Sequence, residues 1–317
     1  MLNLLSVGSG HIAELFLDAV HQAEGIRLMS VYSRTKERAA AFAEAQGAEK
    51  SGTDLAELLA DPEIDAVYIA SPNDLHYPQT RQALLAGKHV ICEKPFAGSR
   101  ARGEELFALA EERGLYLMEA ISVIHEPRLA QVREWTEQIA PVHLSDFAYV
   151  QYSSRYDAYL EGRVANVFDP AHEGGALRDI NVYNLHAMTW LFGRPRTGSY
   201  FANHGPNGID CSGTAVFSYD GHISTCRGAK DSCEERTARI HGEKGEICVD
   251  PAGNTWGGLR LILRDGREAA VDYDPAANRL LPEVRDFVRM IREDDRESYR
   301  CWKEQTLLVL ELMDSLA

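Results

Sequence analysis

Hydrophobic and polar positions follow two different patterns along the 317 residues of this chain. From residue 3 to about residue 120, short apolar runs alternate with stretches of helical periodicity, which is typical of a parallel sheet with helices on both faces. The strands predicted in this half cover residues 3–7, 27–32, 65–70, 89–92 and 115–118. We therefore expect an N-terminal Rossmann domain, a doubly wound parallel α/β sheet, over residues 1–120.

Beyond residue 120 the pattern changes to longer strands and hairpins. Asp220-Gly221 and Asp265-Gly266 are typical of tight turns between antiparallel strands. One helix is predicted at 176–192 and two more at the end of the chain, whereas strands are predicted at 143–152, 198–203, 213–219, 222–228, 237–241, 246–249 and 259–263. Residues 121–317 are expected to form an α+β domain with a mostly antiparallel open sheet.

A glycine-rich turn follows the first predicted strand. Gly8 permits a tight turn, Gly10 allows backbone N–H groups to approach a pyrophosphate, and the small Ala13 keeps helix and strand close. The start of the following helix would then face the phosphates. The alternative is an ordinary strand-to-helix turn that happens to contain glycines.

The residues after the second strand bear on the choice of cofactor. An Asp or Glu usually accepts hydrogen bonds from the adenosine ribose at this place, but here it is Ser33, followed by Arg34, Lys36 and Arg38. A hydroxyl and a guanidinium can bind a 2′-phosphate that a carboxylate would repel. The pattern predicts NADP(H) rather than NAD(H), although a solvated basic first turn of a helix would look the same.

Polar residues also follow later strands at the expected ligand-binding edge of this sheet. Lys94, between Glu93 and Pro95, can orient a substrate hydroxyl or move its proton, unless it is a surface lysine before a turn proline. After the preceding strand stand Ser71, Pro72, Asn73 and His76, of which the last two are candidates for contacting the nicotinamide ribose or for a simple helix-capping turn.

A second group of candidates lies on the helix predicted after Gly174-Gly175. Asp179, Tyr183 and His186 fall at i, i+4 and i+7, so one helical face would present three polar groups. Tyr183 can exchange a proton with a substrate oxygen, and Asp179 can orient a hydroxyl or hold Lys94 charged. Alternatively Asp179 is a first-turn carboxylate that the helix dipole stabilises, Tyr183 is a core ring with a satisfied hydroxyl, and His186 is a buried structural imidazole.

The irregular stretch before Gly174 offers further substrate contacts. Arg155, Arg163 and Asn166 are candidates only because they lie close to Gly174 in the chain. No motif adds to that argument.

Charge and cysteine content exclude several classes of function. A formal net charge of −15 argues against nucleic-acid and anionic-membrane partners, which require clustered cations. The six cysteines show neither zinc spacing nor a disulfide framework, so no metal is expected and reduced thiols fit best. No window has the length of a membrane span and no targeting segment is evident, which together predict a cytoplasmic protein.

With these residues in place, the chain resembles the Gfo/Idh/MocA family of oxidoreductases over essentially its full length. The resemblance is most specific in Val7-Gly8-Ser9-Gly10-His11-Ile12-Ala13, in Ala70-Ser71-Pro72-Asn73-Asp74-Leu75-His76, in Ala86-Gly87-Lys88-His89-Val90-Ile91-Cys92-Glu93-Lys94-Pro95 and in Gly174-Gly175-Ala176-Leu177-Arg178-Asp179.

The resemblance implies roles for particular residues. Lys94 would be the catalytic lysine of the E-K-P motif, Asp179 the carboxylate of a D-x-x-x-H pattern, and His11 and Ile12 part of the cofactor turn. Tyr183 stands at the position of the inositol-dehydrogenase histidine and matches the branch in which a tyrosine is the acid or base. Asn181 stands where a glycine is usual, which weakens any transfer of substrate identity. Family members often form dimers or tetramers through the open sheet.

The leading hypothesis is an NADP(H)-dependent oxidoreductase that transfers hydride between nicotinamide and a carbinol or carbonyl carbon of a sugar, polyol or diol-like substrate. In this hypothesis Tyr183 exchanges the proton, and Lys94, steadied by Asp179, orients the oxygen. Two alternatives stay open. One is a sugar–sugar oxidoreductase that keeps its cofactor bound, and the other is a non-catalytic NADP-sensing regulator on the same scaffold.

Overall fold

The computed structural model describes residues 1–316 and divides into two compact units by their contacts. Unit 1 contains Met1–Ala120 and Asn278–Leu307, and unit 2 contains Ile121–Ala277 together with the end of the chain from residue 308.

Unit 1 is built on a six-stranded parallel sheet, which confirms the predicted Rossmann fold. The spatial order β3-β2-β1-β4-β5-β6 reverses direction at β1, and such sheets bind ligands outside the strand ends at that point. The central strands are apolar runs because both faces of the sheet are covered. The strands are β1 (Leu2–Val7), β2 (Ile26–Tyr32), β3 (Lys50–Gly52), β4 (Ala66–Ile69), β5 (His89–Glu93) and β6 (Leu117–Ala120).

The crossovers of this sheet are mostly helical. Gly47 (φ 70°) and Gly87 (φ 77°) follow the second and fourth helices in the left-handed conformation that commonly ends a helix. The helices are α1 (His11–Gln22), α2 (Lys36–Gln46), α3 (Leu55–Leu59), α4 (His76–Leu85) and α5 (Arg100–Glu112).

Unit 2 contains an eight-stranded sheet in which every neighbouring pair is antiparallel except β7 and β10. This confirms the mostly antiparallel sheet, and both predicted hairpin turns join neighbouring strands. The order is β14-β13-β12-β11-β7-β10-β9-β8. The strands are β7 (Val142–Tyr152), β8 (Thr197–His204), β9 (Asp210–Ser218), β10 (Ile223–Ala229), β11 (Asp231–Gly242), β12 (Gly245–Asp250), β13 (Gly258–Leu263) and β14 (Glu268–Val271).

The helices of unit 2 cover one face of this sheet. They are α6 (Pro127–Ile139), which contacts β11 to β13, the short α7 (Tyr156–Leu160), and α8 (Val182–Phe192), which contacts β7 and β10. The other face carries exposed apolar side chains, among them Leu144, Ile223 and Phe201. A wide helical turn, the π-helix Leu177–Asn181, precedes α8, so the predicted helix at 176–192 does not have one regular period.

The chain returns to unit 1 at residues 278–307, so a single domain boundary at residue 120 does not separate the two units. Helix α9 (Leu281–Glu293) packs on α1, and Asn278 just before it donates to the Leu15 carbonyl oxygen over 2.9 Å. Helix α10 (Arg296–Leu316) begins in unit 1, where Thr306 donates to Glu119 over 2.8 Å. The apolar stripe of α9 predicts a packed helix but not the surface on which that helix packs. No helix among residues 1–316 is long and apolar enough to cross a membrane.

Candidate functional site

The turn between β1 and α1 requires glycine at Gly8. Its φ of 122° is unfavourable for other residues, and a Cβ there would lie 2.5 Å from the Ala70 carbonyl oxygen at the end of β4. The Gly8 N–H donates to the Tyr32 carbonyl oxygen over 3.2 Å. The turn is therefore fixed between the ends of the two neighbouring strands.

Gly10 differs from Gly8, because neither its backbone conformation nor its packing requires glycine. Its φ is −97°, and a Cβ there would meet no described atom within 4 Å outside its own turn. Gly10 is the N-cap of α1, and no side chain of residues 1–316 caps that helix start. An open helix N-terminus of this kind suits a phosphate group.

A cavity of about 210 Å³ opens at this turn. The Ser9 and Ser33 hydroxyl oxygens lie 3.2 Å apart beside it. Two exposed guanidinium groups and no carboxylate are found among the described residues that line the cavity, so it suits an anion in a protein of net charge −15. The lining residues are Gly8, Ser9, Gly10, Tyr32, Ser33, Arg34, Arg38, Ala70, Ser71, Pro72, Leu75 and Gln79.

Six of the residues predicted to bind the cofactor are therefore brought together here, namely Gly8, Gly10, Ser33, Arg34, Ser71 and Pro72. The cavity lining also includes Tyr32, Arg38 and Gln79. The Gln79 side chain accepts a 2.6 Å hydrogen bond from the Ser71 hydroxyl. The predicted cofactor residues outside that lining set are His11, Ile12, Lys36, Asn73, His76, Glu93 and Lys94.

His76 links the two loops that follow β4 and β5. It is buried, and its Nδ1 and Nε2 atoms each lie 2.9 Å from a carbonyl oxygen, those of Pro95 and Ser71. Burial lowers the pKa of this imidazole, opposed by the two carbonyl contacts. These contacts make His76 a positioning residue for both loops.

Lys94 is half-buried and follows the buried Glu93. Glu93, at the end of β5, accepts a 2.8 Å hydrogen bond from the Tyr68 hydroxyl, and the ring of Tyr68 stacks on Phe16. Burial raises the pKa of Glu93, opposed by the positive charge of Lys94 and by this hydrogen bond. The Lys94–Pro95 peptide bond is cis.

Asp179 lies in the π-helical turn of unit 2. Its Oδ2 atom is 2.7 Å from the Nζ atom of Lys230, a lysine that the sequence did not single out. Asp179 therefore has a cationic partner within its own unit, and its predicted roles of orienting a substrate hydroxyl or holding Lys94 charged stay predictions. The wide turn also removes the α-helical spacing on which the predicted common face with Tyr183 depended.

Asp210 holds the start of this turn and was also missed by the sequence analysis. Its Oδ2 atom accepts hydrogen bonds from the Leu177 backbone N–H (2.7 Å) and from the Tyr200 hydroxyl (2.8 Å). Gly175 must be glycine here, because a Cβ would come within 2.0 Å of the Asp210 carboxylate.

Tyr183 and His186 lie in the buried first half of α8. The Tyr183 ring is 6% exposed and meets the Tyr149 ring edge-on at a centroid distance of 5.8 Å, and His186 is fully buried. Asn181 and Asn184 tie the start of this helix to β10 by donating to the Cys226 and Arg227 carbonyl oxygens, each over 2.9 Å. The asparagine at 181 is therefore a structural link to the sheet.

The three remaining substrate candidates lie in the irregular segment before Gly174. Arg155 precedes α7 and Asn166 begins a short turn, both exposed, and the Arg163 guanidinium pairs with Glu161 at 2.5 Å. Residues 1–316 contain no group of three or more His, Cys, Asp or Glu side chains that could hold a metal ion.

The parallel sheet, its glycine turn and the second, mostly antiparallel sheet define the class of two-domain dinucleotide-binding oxidoreductases. The chain belongs to the GFO/IDH/MocA family. Residues 2–121 match the oxidoreductase family with an NAD-binding Rossmann fold, and residues 139–248 match the GFO/IDH/MocA C-terminal domain.

Two relatives are similar over nearly the whole chain. Scyllo-inositol 2-dehydrogenase (NADP(+)) IolU of Bacillus subtilis is 35% identical over 314 residues, which cover 99% of this chain and 95% of the relative. D-xylose 1-dehydrogenase (NADP(+)) 2 of Haloferax volcanii is 28% identical over 302 residues, with coverages of 93% and 90%.

A solved structure shares the fold. The 3-ketoreductase KijD10 from Actinomadura kijaniata, in complex with NADP and TDP-benzene, superposes with a TM-score of 0.87 at 23% identity, covering 99% of this chain and 96% of that one. At this identity the likeness concerns the fold.

Proposed function

We propose that this chain is an NADP(H)-dependent oxidoreductase acting on the CH–OH or keto group of a sugar, polyol or related diol. The observation that carries the proposal is the cavity at the strand ends of unit 1, with an open helix N-terminus, two guanidinium groups and no carboxylate among its described lining residues. The relatives named above, which use NADP(+) and act on scyllo-inositol and D-xylose, support the cofactor and the substrate class.

The fit of the cofactor rests on this chain's own groups. The backbone N–H groups at Gly10 and the first turn of α1 suit a pyrophosphate, and Ser33, Arg34 and Arg38 suit a 2′-phosphate. When bound, NADP(H) supplies or accepts the hydride, which carries two electrons to or from the substrate carbon.

We further propose that Lys94, Asp179 and Tyr183 carry the catalytic roles. In oxidation the substrate O–H bond breaks as the carbonyl forms, and its proton passes to the phenolate oxygen of deprotonated Tyr183. In reduction the neutral phenol of Tyr183 gives its proton to the new hydroxyl and is left as phenolate. Lys94 orients the reacting oxygen through its ammonium group, and Asp179 accepts a hydrogen bond from a substrate hydroxyl.

Cofactor choice is tested by titrating NADPH and NADH into the wild-type protein and into Ser33→Asp. A carboxylate at this place repels a 2′-phosphate, so we expect the preference for NADPH to fall by about tenfold or more, as for one lost charge-assisted contact. Ser51→Asp, which adds the same single negative charge at an exposed serine of β3 outside the cavity lining, is the control. Tighter binding of NADH than NADPH by the wild-type protein would reject the proposal.

Activity is tested by NADPH absorbance on a panel that includes scyllo-inositol and D-xylose. Tyr183→Phe and Lys94→Ala should each lose about 10²- to 10⁴-fold in turnover while NADPH binding is retained. Unchanged turnover in either variant would remove that residue from the mechanism. Absence of turnover across the panel, together with NADPH-dependent binding of a partner protein, would favour the regulatory alternative.

The open face of the unit 2 sheet is proposed to join two copies of this chain. Leu144 and Ile223 are paired neighbours on that face, 51% and 48% exposed, and Phe201 on the same face is 68% exposed. Sedimentation velocity on the double variant Leu144→Arg, Ile223→Arg should give a lower mass than the wild-type protein. Leu85→Arg, at a leucine of unit 1 that is 42% exposed, is the control, and an unchanged mass in the double variant would reject this interface.

All six cysteines of the chain are free thiols in the described structure. This state suits the reducing cytoplasm, where we propose that the enzyme works.

A further inference from the structure

Lys230 is a fully buried cation at the end of β10. The residue is 1% exposed, and its Nζ atom donates to Asp179 Oδ2 over 2.7 Å and to the Val167 carbonyl oxygen over 2.6 Å. The same atom lies 4.5 Å from the centre of the Phe168 ring. An ammonium group tolerates such burial only when a carboxylate and further acceptors surround it, as they do here.

These contacts connect two parts of unit 2 that are distant in the sequence. Val167 belongs to the irregular segment 153–175, and Asp179 belongs to the π-helical turn that follows it. Lys230 is 51 residues beyond Asp179 and 63 beyond Val167. One ammonium group thus fixes a backbone position of the segment against the candidate catalytic carboxylate.

The segment is held at a second place by aromatic packing and by an asparagine. The Tyr159 and Phe168 rings stack at a centroid distance of 4.8 Å. Asn207, between β8 and β9, accepts from the Tyr159 hydroxyl over 2.6 Å and donates to the Phe168 carbonyl oxygen over 2.8 Å. The segment therefore has one polar anchor at the β8–β9 connection and another at Lys230, and Lys230 is the one that also contacts Asp179.

We propose that Lys230 is a positioning residue that sets the orientation of Asp179 and the conformation of segment 153–175 together, and thereby the choice of substrate. The Asp179 carboxylate contacts Lys230, and the Asp179 side chain is 18% exposed. The side chain can therefore also be reached by a ligand. The kinetic part of this inference rests on the proposed oxidoreductase function, whereas the structural part does not.

The kinetic test uses Lys230→Met, which keeps the length of the side chain and removes its charge. We expect kcat to fall by about 10²-fold, as for a misplaced catalytic group, while the Kd of NADPH is unchanged. Because Lys230 acts through Asp179, the double variant Lys230→Met, Asp179→Asn should lose no more than the worse single variant. The ratio of kcat/KM for scyllo-inositol to that for D-xylose should move toward one in Lys230→Met.

Arg227→Met, which removes an exposed strand cation paired with Glu235, is the matched control and should leave these values unchanged. Lys230→Arg keeps the charge and should recover part of kcat, which a purely space-filling role would not produce. Wild-type kcat in Lys230→Met, or losses that multiply in the double variant, would overturn the inference.

The structural test is hydrogen–deuterium exchange on the full chain without substrate. Residues 153–175 should exchange faster in Lys230→Met than in wild type, while strands β7, β9 and β10 keep their protection. Should Lys230→Met fail to fold, the same comparison is made on Lys230→Arg. Unchanged exchange of the segment would overturn the inference even if the enzyme proves active, and faster exchange would support it even if neither sugar is turned over.

Discussion

Glu283 is a buried carboxyl group, and its burial predicts how the stability of the chain depends on pH. It stands in the first turn of α9 and is 1% exposed, and neither of its oxygens has a hydrogen-bond partner within residues 1–316. Burial raises the pKa of Glu283 well above its ordinary value, and the nearby carboxyls of Glu93 and Asp286 raise it further, opposed by Arg279. We therefore expect Glu283 to be protonated in the folded protein at neutral pH.

The sign and the size of the effect follow from proton linkage. Above the unfolded pKa the folded chain binds one proton more than the unfolded chain, so stability is full below that value and is lost as pH rises toward the folded pKa. One such proton changes the free energy of unfolding by about 1.4 kcal/mol per pH unit. Glu283→Gln removes this proton and keeps the shape of the side chain. Over two pH units the variant should therefore gain up to about 2.7 kcal/mol relative to wild type.

The measurement is urea unfolding of both proteins at pH 6, 7 and 8, followed by far-UV circular dichroism. All other titrating groups are common to the two chains, so the difference between the two free energies isolates Glu283. Glu297→Gln, an exposed glutamate in the first turn of α10, should run parallel to wild type. If Glu283→Gln also runs parallel between pH 6 and 8, the carboxyl group is not neutral in the folded protein and the reasoning fails.

Two further predictions use matched pairs of residues. Gly8→Ala should lower the stability by about 1–3 kcal/mol, because φ is positive and the Cβ meets the Ala70 carbonyl, whereas Gly10→Ala should leave Tm unchanged and weaken NADPH binding. Equal effects of the two substitutions on Tm would contradict this. The buried Tyr299 hydroxyl has no hydrogen-bond partner in the described part of the chain, so Tyr299→Phe should be neutral or stabilising. Tyr68→Phe should cost about 1–3 kcal/mol, because Tyr68 donates to buried Glu93; a larger loss in Tyr299→Phe would reverse the argument.

Every strand that the sequence predicted has buried residues, except the edge strand β8. The two that it missed are edge strands without apolar alternation: β3 is Lys50-Ser51-Gly52, and β14 has three exposed residues of four. The return of α9 to unit 1 was missed because an amphipathic stripe predicts burial without naming the surface that receives it.

The same distinction applies to the candidate site. The cavity at Gly8, Gly10, Ser33 and Arg34 could be predicted because strand, turn and helix are contiguous in the sequence and strand ends meet at one edge of the sheet. Lys230 could not be predicted, since it resembles any lysine at a strand end until the fold places it beside Asp179. A local pattern indicates which groups follow a strand, but not which distant group pairs with them.

Lys230 and Glu283 are equally buried, but their surroundings differ. We therefore expect neutralising Glu283 to have little effect on stability, and neutralising Asp179, the counter-ion of Lys230, to have a large one. Glu283 faces other carboxyls and is expected to lose its charge, so Glu283→Gln at pH 6 should change stability by less than about 1 kcal/mol. Lys230 has a carboxylate, a carbonyl oxygen and an aromatic ring around its ammonium group, so it keeps its charge. Asp179→Asn should therefore cost about 3–5 kcal/mol in the same urea assay, because it leaves a buried ammonium without its counter-ion. A cost below that of Glu283→Gln would show that Asp179 is not what holds the Lys230 charge inside unit 2.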